Sequence, residues 1–327
     1  MKKILSVFLF LLAVNTLVPI FYFNVYSAFE SKINVNNNND DNIFIPTENS
    51  DQKVILFDES AAQTIELDLI DYLIGAAACE MPASYESEAI KAQMIAIHSY
   101  YLYCQQHPEY LSGGYITVNE SNMKGYASKT RLTEYWGMNF YDYYNKFQRC
   151  ANEIHNQIIT YQGQPALAAY HAVSCGKTRK SNDVWQQDLP YLTCVDSSFD
   201  AVSDDYLQMK TFTVSGLYGL LKTTFPFIRI DESTPEEWFG EVIYTDSGYA
   251  SYVIIAGDYV PADQFRNALG LASTCVMVFF EDDTFSVATK GYGHGVGMSQ
   301  FGANQLSQQG KNYKEILAYY YPGTELI

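Results

Sequence analysis

A chain of 327 residues, 48% of them hydrophobic, is long enough for one large domain or two modest ones with real cores, so disorder throughout is excluded. Its formal net charge of −17 argues against nucleic acid or an anionic membrane face as partner, because affinity for either is dominated by Lys and Arg contacts to phosphate. A neutral or zwitterionic substrate fits better, and the 28 tyrosines supply flat amphipathic rings that suit sugar faces as well as ordinary cores.

Lys2 and Lys3 precede an uncharged, mostly apolar run from Ile4 to Phe29 that is long enough to cross a bilayer. It predicts a signal anchor over residues 1–29; the alternative is a cleaved signal peptide, cued by the small residues Ser27 and Ala28. Both export the rest of the chain. Residues 30–52, with Asn36 to Asn39 followed by Asp40-Asp41, read as a disordered spacer, and 53–327 as the folded part.

Alternating segments at Lys53 to Phe57 and Gln63 to Leu67 predict strands, and Asp71 to Cys79 predicts a short helix. The stretch from Cys79 to Tyr103 follows. Pro82, Ser84 as N-cap, and Glu86 and Glu88 in the first turn predict a helix that starts just after Glu80. Ile90, Met94, Ile97, Tyr101 and Cys104 recur at helical spacing and define its buried face. Glu80 is then a carboxylic acid held between two helices, and the apolar run Leu73 to Cys79 disfavours its ionised form and raises its pKa, as a general acid requires. The plainer reading is a helix-boundary acid that interacts with backbone N–H groups.

Further along, residues 139–156 predict a helix with Tyr143, Phe147, Cys150 and Ile154 on one side. Ile158 to Tyr161 and Ala166 to Tyr170, around Gln162-Gly163-Gln164-Pro165, predict a hairpin that delivers His171 and the segment Ala172 to Thr178 to its end. Between Thr211 and Leu271 come a helix near Ser215 to Thr223, two strands around Asp246-Ser247-Gly248, and a helix from Pro261 to Leu269 ended by Gly270. These assign an inserted subdomain to 205–272. Cys275 to Phe280 and Phe285 to Thr289 predict another hairpin, followed by Gly291-Tyr292-Gly293-His294-Gly295-Val296-Gly297-Met298-Ser299-Gln300. Alternating glycines permit positive φ and close approach to the main chain, but no GxxxxGK[ST] pattern is present, which argues against a nucleotide site. A helix from Ser299 to Gln309, stopped by Gly310, sets Ser299 and Gln300 toward the same space as His294.

The polar candidates are Glu80, Lys91, His98, His171, Ser174, His294, Ser299 and Gln300. His98, among apolar residues, reads equally well as a structural histidine. No GxSxG elbow accompanies either serine and no HExxH occurs, so serine hydrolase and the commonest zinc peptidase chemistries are disfavoured. The spacing of His171 and Cys175 does not match a Cys-His nucleophile. Six cysteines, Cys79, Cys104, Cys150, Cys175, Cys194 and Cys275, form no CxxC pair. Cys175 and Cys194 bracket one loop and are the first disulfide to test; with His171 they could instead ligate zinc, for which spacing offers no fourth ligand. One acid without a paired carboxylate sets the chain apart from hydrolytic glycosidases, which use two, and is compatible with a lytic transglycosylase, whose substrate supplies the nucleophile.

The segments Glu80-Met81-Pro82 with Glu88-Ala89-Ile90-Lys91-Ala92-Gln93, Tyr170 to Thr178, Val184-Trp185, Pro190-Tyr191-Leu192, Gly291 to Ala303 and Tyr320-Tyr321-Pro322-Gly323 resemble the stage II sporulation protein D family (SpoIID/LytB domain), in order, over roughly Lys53 to Ile327. The resemblance implies an α+β fold whose cleft lies between the central helix, the hairpin carrying His171 and the glycine loop. It implies a membrane-anchored, extracytoplasmic lytic transglycosylase that cleaves MurNAc–GlcNAc bonds of stem-peptide-free peptidoglycan strands during engulfment, leaving 1,6-anhydroMurNAc ends. The implied partners are the amidase stage II sporulation protein P and stage II sporulation protein M. Glu80 takes the acid/base role, and Lys91 and the residue at 98 line the cleft. Two departures stand out: His98 replaces a usual Arg, making a permanent cation titratable, and Cys175 replaces a usual Gly. No cofactor is expected to be required, although some relatives are thought to carry zinc. The alternative is a non-catalytic glycan-binding amidase enhancer or a scaffold of the engulfment complex.

Overall fold

Alternating side chains in β1 (Lys53–Asp58) and β2 (Gln63–Asp68) give an antiparallel hairpin that turns Val54 and Leu56 into the interior, and β3 (Ile116–Val118) joins β1 in parallel. The computed structural model describes residues 52–154, 156–185 and 187–327, so the expected anchor at 1–29 and all of the expected spacer except Gln52 lie outside the described residues. No helix among the described residues is long and apolar enough to cross a membrane.

Helix α1 (Leu69–Glu80) ends where Pro82 forces Met81 into extended backbone (φ −126°, ψ 139°). Helix α2 (Ser87–Gln106) begins later than the run after Glu80 predicts. The reason is tertiary: the N-cap is Glu86, whose side chain makes no cap bond and whose backbone N–H donates to Asn304 Oδ1 from the far end of the chain (2.8 Å). Glu80 therefore closes α1 instead of preceding α2. The expected face of α2 is buried, but so is every residue from Ala89 to Ser99, because α1, the C-terminal helices and the helix over 140–154 pack around it.

Helix α3 (Lys129–Trp136) starts on Ser128, whose Oγ accepts from the Arg131 N–H, and α4 (Phe140–Ile154) buries Phe147, Cys150 and Ile154. Strands β4 (Ile159–Tyr161) and β5 (Gln164–Pro165) meet at a two-residue Gln162-Gly163 turn with both φ positive. The hairpin is shorter than expected. Residues 166–169 leave the sheet for the core, where the Leu167 N–H donates to Tyr191 Oη, and Tyr170–His171 (β6) instead pair in parallel with Met298–Ser299, while Glu325–Leu326 takes the free edge of β4. A short helix, α5, spans Asn182–Trp185.

The chain then builds a second core from β7 (Leu207–Thr213), α6 (Val214–Thr224), β8 (Phe239–Tyr244), β9 (Ala250–Ile255), β10 (Asp258–Pro261), α7 (Ala262–Leu269), β11 (Cys275–Glu281) and β12 (Thr284–Lys290). Two three-stranded sheets, ordered β11-β12-β7 and β10-β9-β8, enclose apolar residues from Leu217 to Val287, with Trp238 stacked on Phe285 at 5.1 Å. Gly270 ends α7 in the left-handed region (φ 61°), as its position predicts. The chain returns to the first core through β13 (Met298–Ser299), α8 (Gln300–Gln308), α9 (Tyr313–Tyr320) and β14 (Glu325–Leu326), giving a mixed α+β architecture.

Candidate active site

Glu80 is the last residue of α1 and one wall of an open groove of about 550 Å³. Ala78 to Ser84 form that wall; Tyr135, Trp136, Asn139 and Tyr143, from the α3–α4 corner, form the facing one. Burial beside this hydrocarbon raises the Glu80 pKa, and the Gln300 amide opposes the shift in part, its Nε2 donating to Glu80 Oε2 at 3.4 Å. The carbonyl end of α1 acts in the same direction as burial, since the negative end of a helix dipole disfavours a carboxylate. Glu80 is the one carboxylate among the described residues lining the groove, and no Lys or Arg lines it.

Gln300, the first residue of α8, reaches Glu80 because Ser299 caps that helix, its Oγ accepting from the Gly302 N–H. Ser174 and Ser299 are fully buried and face Asp200. The Ser174 N–H donates to Asp200 Oδ2 at 2.7 Å, and burial raises the Asp200 pKa against the hydroxyls of Ser174, Ser299 and Ser197. Neither serine lines the groove.

His171 and His294 grip the backbone of one residue, Val296, from both sides. His171 Nδ1–H donates to the Val296 carbonyl (3.1 Å) and the Val296 N–H donates to His294 Nδ1 (3.0 Å), so the two rings carry opposite tautomers. Burial pushes His171 down to about 4 and His294 to about 3. They hold the glycine loop, whose glycines admit this chain's own backbone: a Cβ on Gly297 (φ 73°) would stand 1.9 Å from the Ala169 carbonyl oxygen, and one on Gly291 (φ 80°) 2.7 Å from that of Val173.

Lys91 and His98 do not line this groove either. Lys91 is 6% exposed, ion-paired with Glu88 and Glu153, and lies over the Tyr313 ring. His98 is wholly buried, bonded through Nδ1 to the Gln157 carbonyl, and pushed down to about 4 by burial. An Arg at that position could not give up its charge in this way.

The cysteine expectation is corrected as well. Cys175 meets Cys275, not Cys194: its thiol bonds to Cys275 and to the Ser247 carbonyl. His171, Cys175 and Cys194 do not form a ligand set, and among the described residues no group of three or more His, Cys, Asp or Glu is arranged to hold a metal ion.

Arg179 and the aromatic wall escape sequence reasoning. Arg179 is 1% exposed; its guanidinium bonds Thr274, the Asp183 and His294 carbonyls and Asp263, and so ties the glycine loop to α7. The signal for the wall was available in the run Tyr135-Trp136-Gly137 with Met138, Tyr141 and Tyr143 following a polar stretch, and in the fold Tyr135 (62%), Met138 (101%) and Tyr141 (75%) stay exposed.

The site so defined is one carboxylic acid with a raised pKa in an aromatic groove of an α+β chain. The family model described as "Stage II sporulation protein" matches residues 58–161. Stage II sporulation protein D of Bacillus subtilis (strain 168) is 31% identical over 271 residues, 82% of this chain and 77% of the relative. Its counterpart in Bacillus amyloliquefaciens is 29% identical over 79% of this chain and 74% of its own length, and the amidase enhancer of Bacillus subtilis (strain 168) is 27% identical over 76% of this chain and 39% of its own length. The chain belongs to the stage II sporulation protein D family.

Proposed function

We propose that the chain is a peptidoglycan lytic transglycosylase acting on stem-peptide-free glycan during sporulation, with Glu80 as acid and base. The observation that carries this reading is a single carboxylic acid, kept above its ordinary pKa by burial, in a groove with no second carboxylate in its lining. Protonated Glu80 gives its proton to the glycosidic oxygen between MurNAc and GlcNAc as that C–O bond breaks. The resulting carboxylate takes the proton of the MurNAc O6 hydroxyl while that oxygen closes on C1, which yields the 1,6-anhydro ring and returns Glu80 protonated. No water is consumed. Gln300 donates to the carboxylate between the two proton transfers.

In this reading the chain is held on the outer side of a membrane by residues 1–29, needs no cofactor, and works beside an amidase and a membrane partner of the kinds the resemblance implies, stage II sporulation proteins P and M. Similarity to the amidase enhancer favours a second reading, a glycan-binding subunit without cleavage. Mass spectrometry of glycan strands incubated with wild type and Glu80→Gln separates them. Anhydro-terminated fragments from wild type alone are expected; reducing ends would mean hydrolysis, and no fragments from either protein would leave the binding role.

A further inference from the structure

The wall facing Glu80 is built for more than closure. Gly137, at φ 53°, stops α3 with its N–H on the Thr133 carbonyl and turns the chain so that Tyr135 and Trp136 face the groove. Trp136 is fixed there, edge-on to Tyr143 at 5.7 Å and against Phe147 at 5.5 Å. Tyr135 makes no such ring pair among the described residues and stays 62% exposed. Aromatic rings gathered in an open groove around an acid have the makings of a ligand-binding surface.

We infer that Tyr135, Trp136 and Tyr143 form a stacking wall for the pyranose faces of a glycan chain lying across Glu80, with the Asn139 amide available to sugar hydroxyls. The occupant follows from the lining: flat amphipathic rings, one neutral amide, one carboxylic acid and no cation suit an uncharged ring face and offer nothing to a phosphate or an acidic peptide. The inference rests on the glycan reading above and assigns the residues that set its affinity and register.

The test measures binding by calorimetry on the full chain carrying Glu80→Gln, so that turnover does not intervene, with stem-peptide-free glycan oligomers as probe. Tyr135→Ala and Trp136→Ala are expected to weaken binding about tenfold or more, as truncation of an anchoring ring does. Because Trp136→Ala also removes packing against Phe147, the exposed Tyr135→Ala decides. Tyr259→Ala, at a 62% exposed site on the second core, is expected to bind unchanged. Raising salt from about 0.05 to about 0.5 M is expected to change affinity less than about twofold, since no charge pair is involved.

Unchanged binding by Tyr135→Ala, or binding that collapses in salt, would overturn the wall. If wild type leaves no anhydro ends while Tyr135→Ala still weakens binding, the lyase reading fails and the wall stands. If wild type cleaves and Tyr135→Ala keeps its KM, the wall fails and the lyase reading stands. Absence of any glycan binding overturns both.

Discussion

Glu80 ends a helix and lies in a half-buried groove, and both circumstances oppose its charge. Its pKa is therefore higher folded than unfolded, so the stability it contributes is present below the unfolded value near 4.5 and is lost as pH rises through the folded one. Glu80→Gln is expected to melt no lower than wild type at pH 7, with the difference closing toward pH 4; a variant that melts well below wild type at pH 7 would mean the carboxylate is stabilised in the fold. Gln300 acts the other way, since its amide bonds the carboxylate. Gln300→Ala raises the Glu80 pKa further, and the alkaline limb of kcat/KM for glycan cleavage moves to higher pH. A limb that stays put would remove Gln300 from the acid's surroundings. The apolar run before Glu80 made the direction of its pKa legible from sequence, whereas its partner did not show, because Gln300 is brought in by a helix at the opposite end of the chain.

Elements whose two halves are adjacent in sequence were legible, and those completed from afar were not. The hairpins of β1 with β2 and of β11 with β12 formed as patterned, the second around Asp282-Asp283 with both φ positive. The start of α2 and the end of the β4–β5 hairpin shifted because Asn304 and Met298-Ser299 take part in them. The cysteines follow the same rule. Sequence proximity favours Cys194 for Cys175, but β11 pairs Cys275 with Lys290, and Gly291 then packs against the backbone of Val173 to Cys175. Cys175 keeps its proton, which lies between Cys275 and the Ser247 carbonyl, and Cys275 is held below the ordinary thiol value by the neighbouring Cys175 thiol and by Lys290. With oxidised glutathione, the Cys275 thiolate attacks the disulfide, and Cys175 then displaces the bound glutathione, leaving two reduced glutathiones and one protein disulfide. Non-reducing peptide mapping is expected to find Cys175 joined to Cys275; a Cys175–Cys194 peptide would contradict the packing of β11.

At the scale of the whole molecule, the two cores share a seam in which Arg179 reaches Asp263 and Thr274 on one side and the His294 carbonyl on the other. Composition showed that there was apolar material for such cores; it did not show that β12 would sit between β7 and β11 and carry the second core through Val287. Burial in this framework keeps three imidazoles neutral, His98 and His171 at about 4 and His294 at about 3, and the Nε2 atoms of His98 and His171 have no hydrogen-bond partner among the described residues. Unfolded, each takes a proton near 6.5. Depressed folded values mean stability that is complete above about pH 6.5 and is lost as pH falls toward 4, at up to about 1.4 kcal/mol per pH unit for each histidine. Glu80 and Asp200, raised by burial, bind protons preferentially in the folded state and offset part of that loss. A pH scan of wild type alone thus mixes opposing contributions, and the informative quantity is a difference. His98→Gln removes one imidazole and neither acid, so between pH 6.5 and 4.5 its urea-unfolding free energy is expected to fall less steeply than that of wild type. Parallel slopes would mean that His98 takes its proton in the folded chain as readily as in the unfolded one, against the burial that holds it neutral and that its bond to the Gln157 carbonyl only partly offsets.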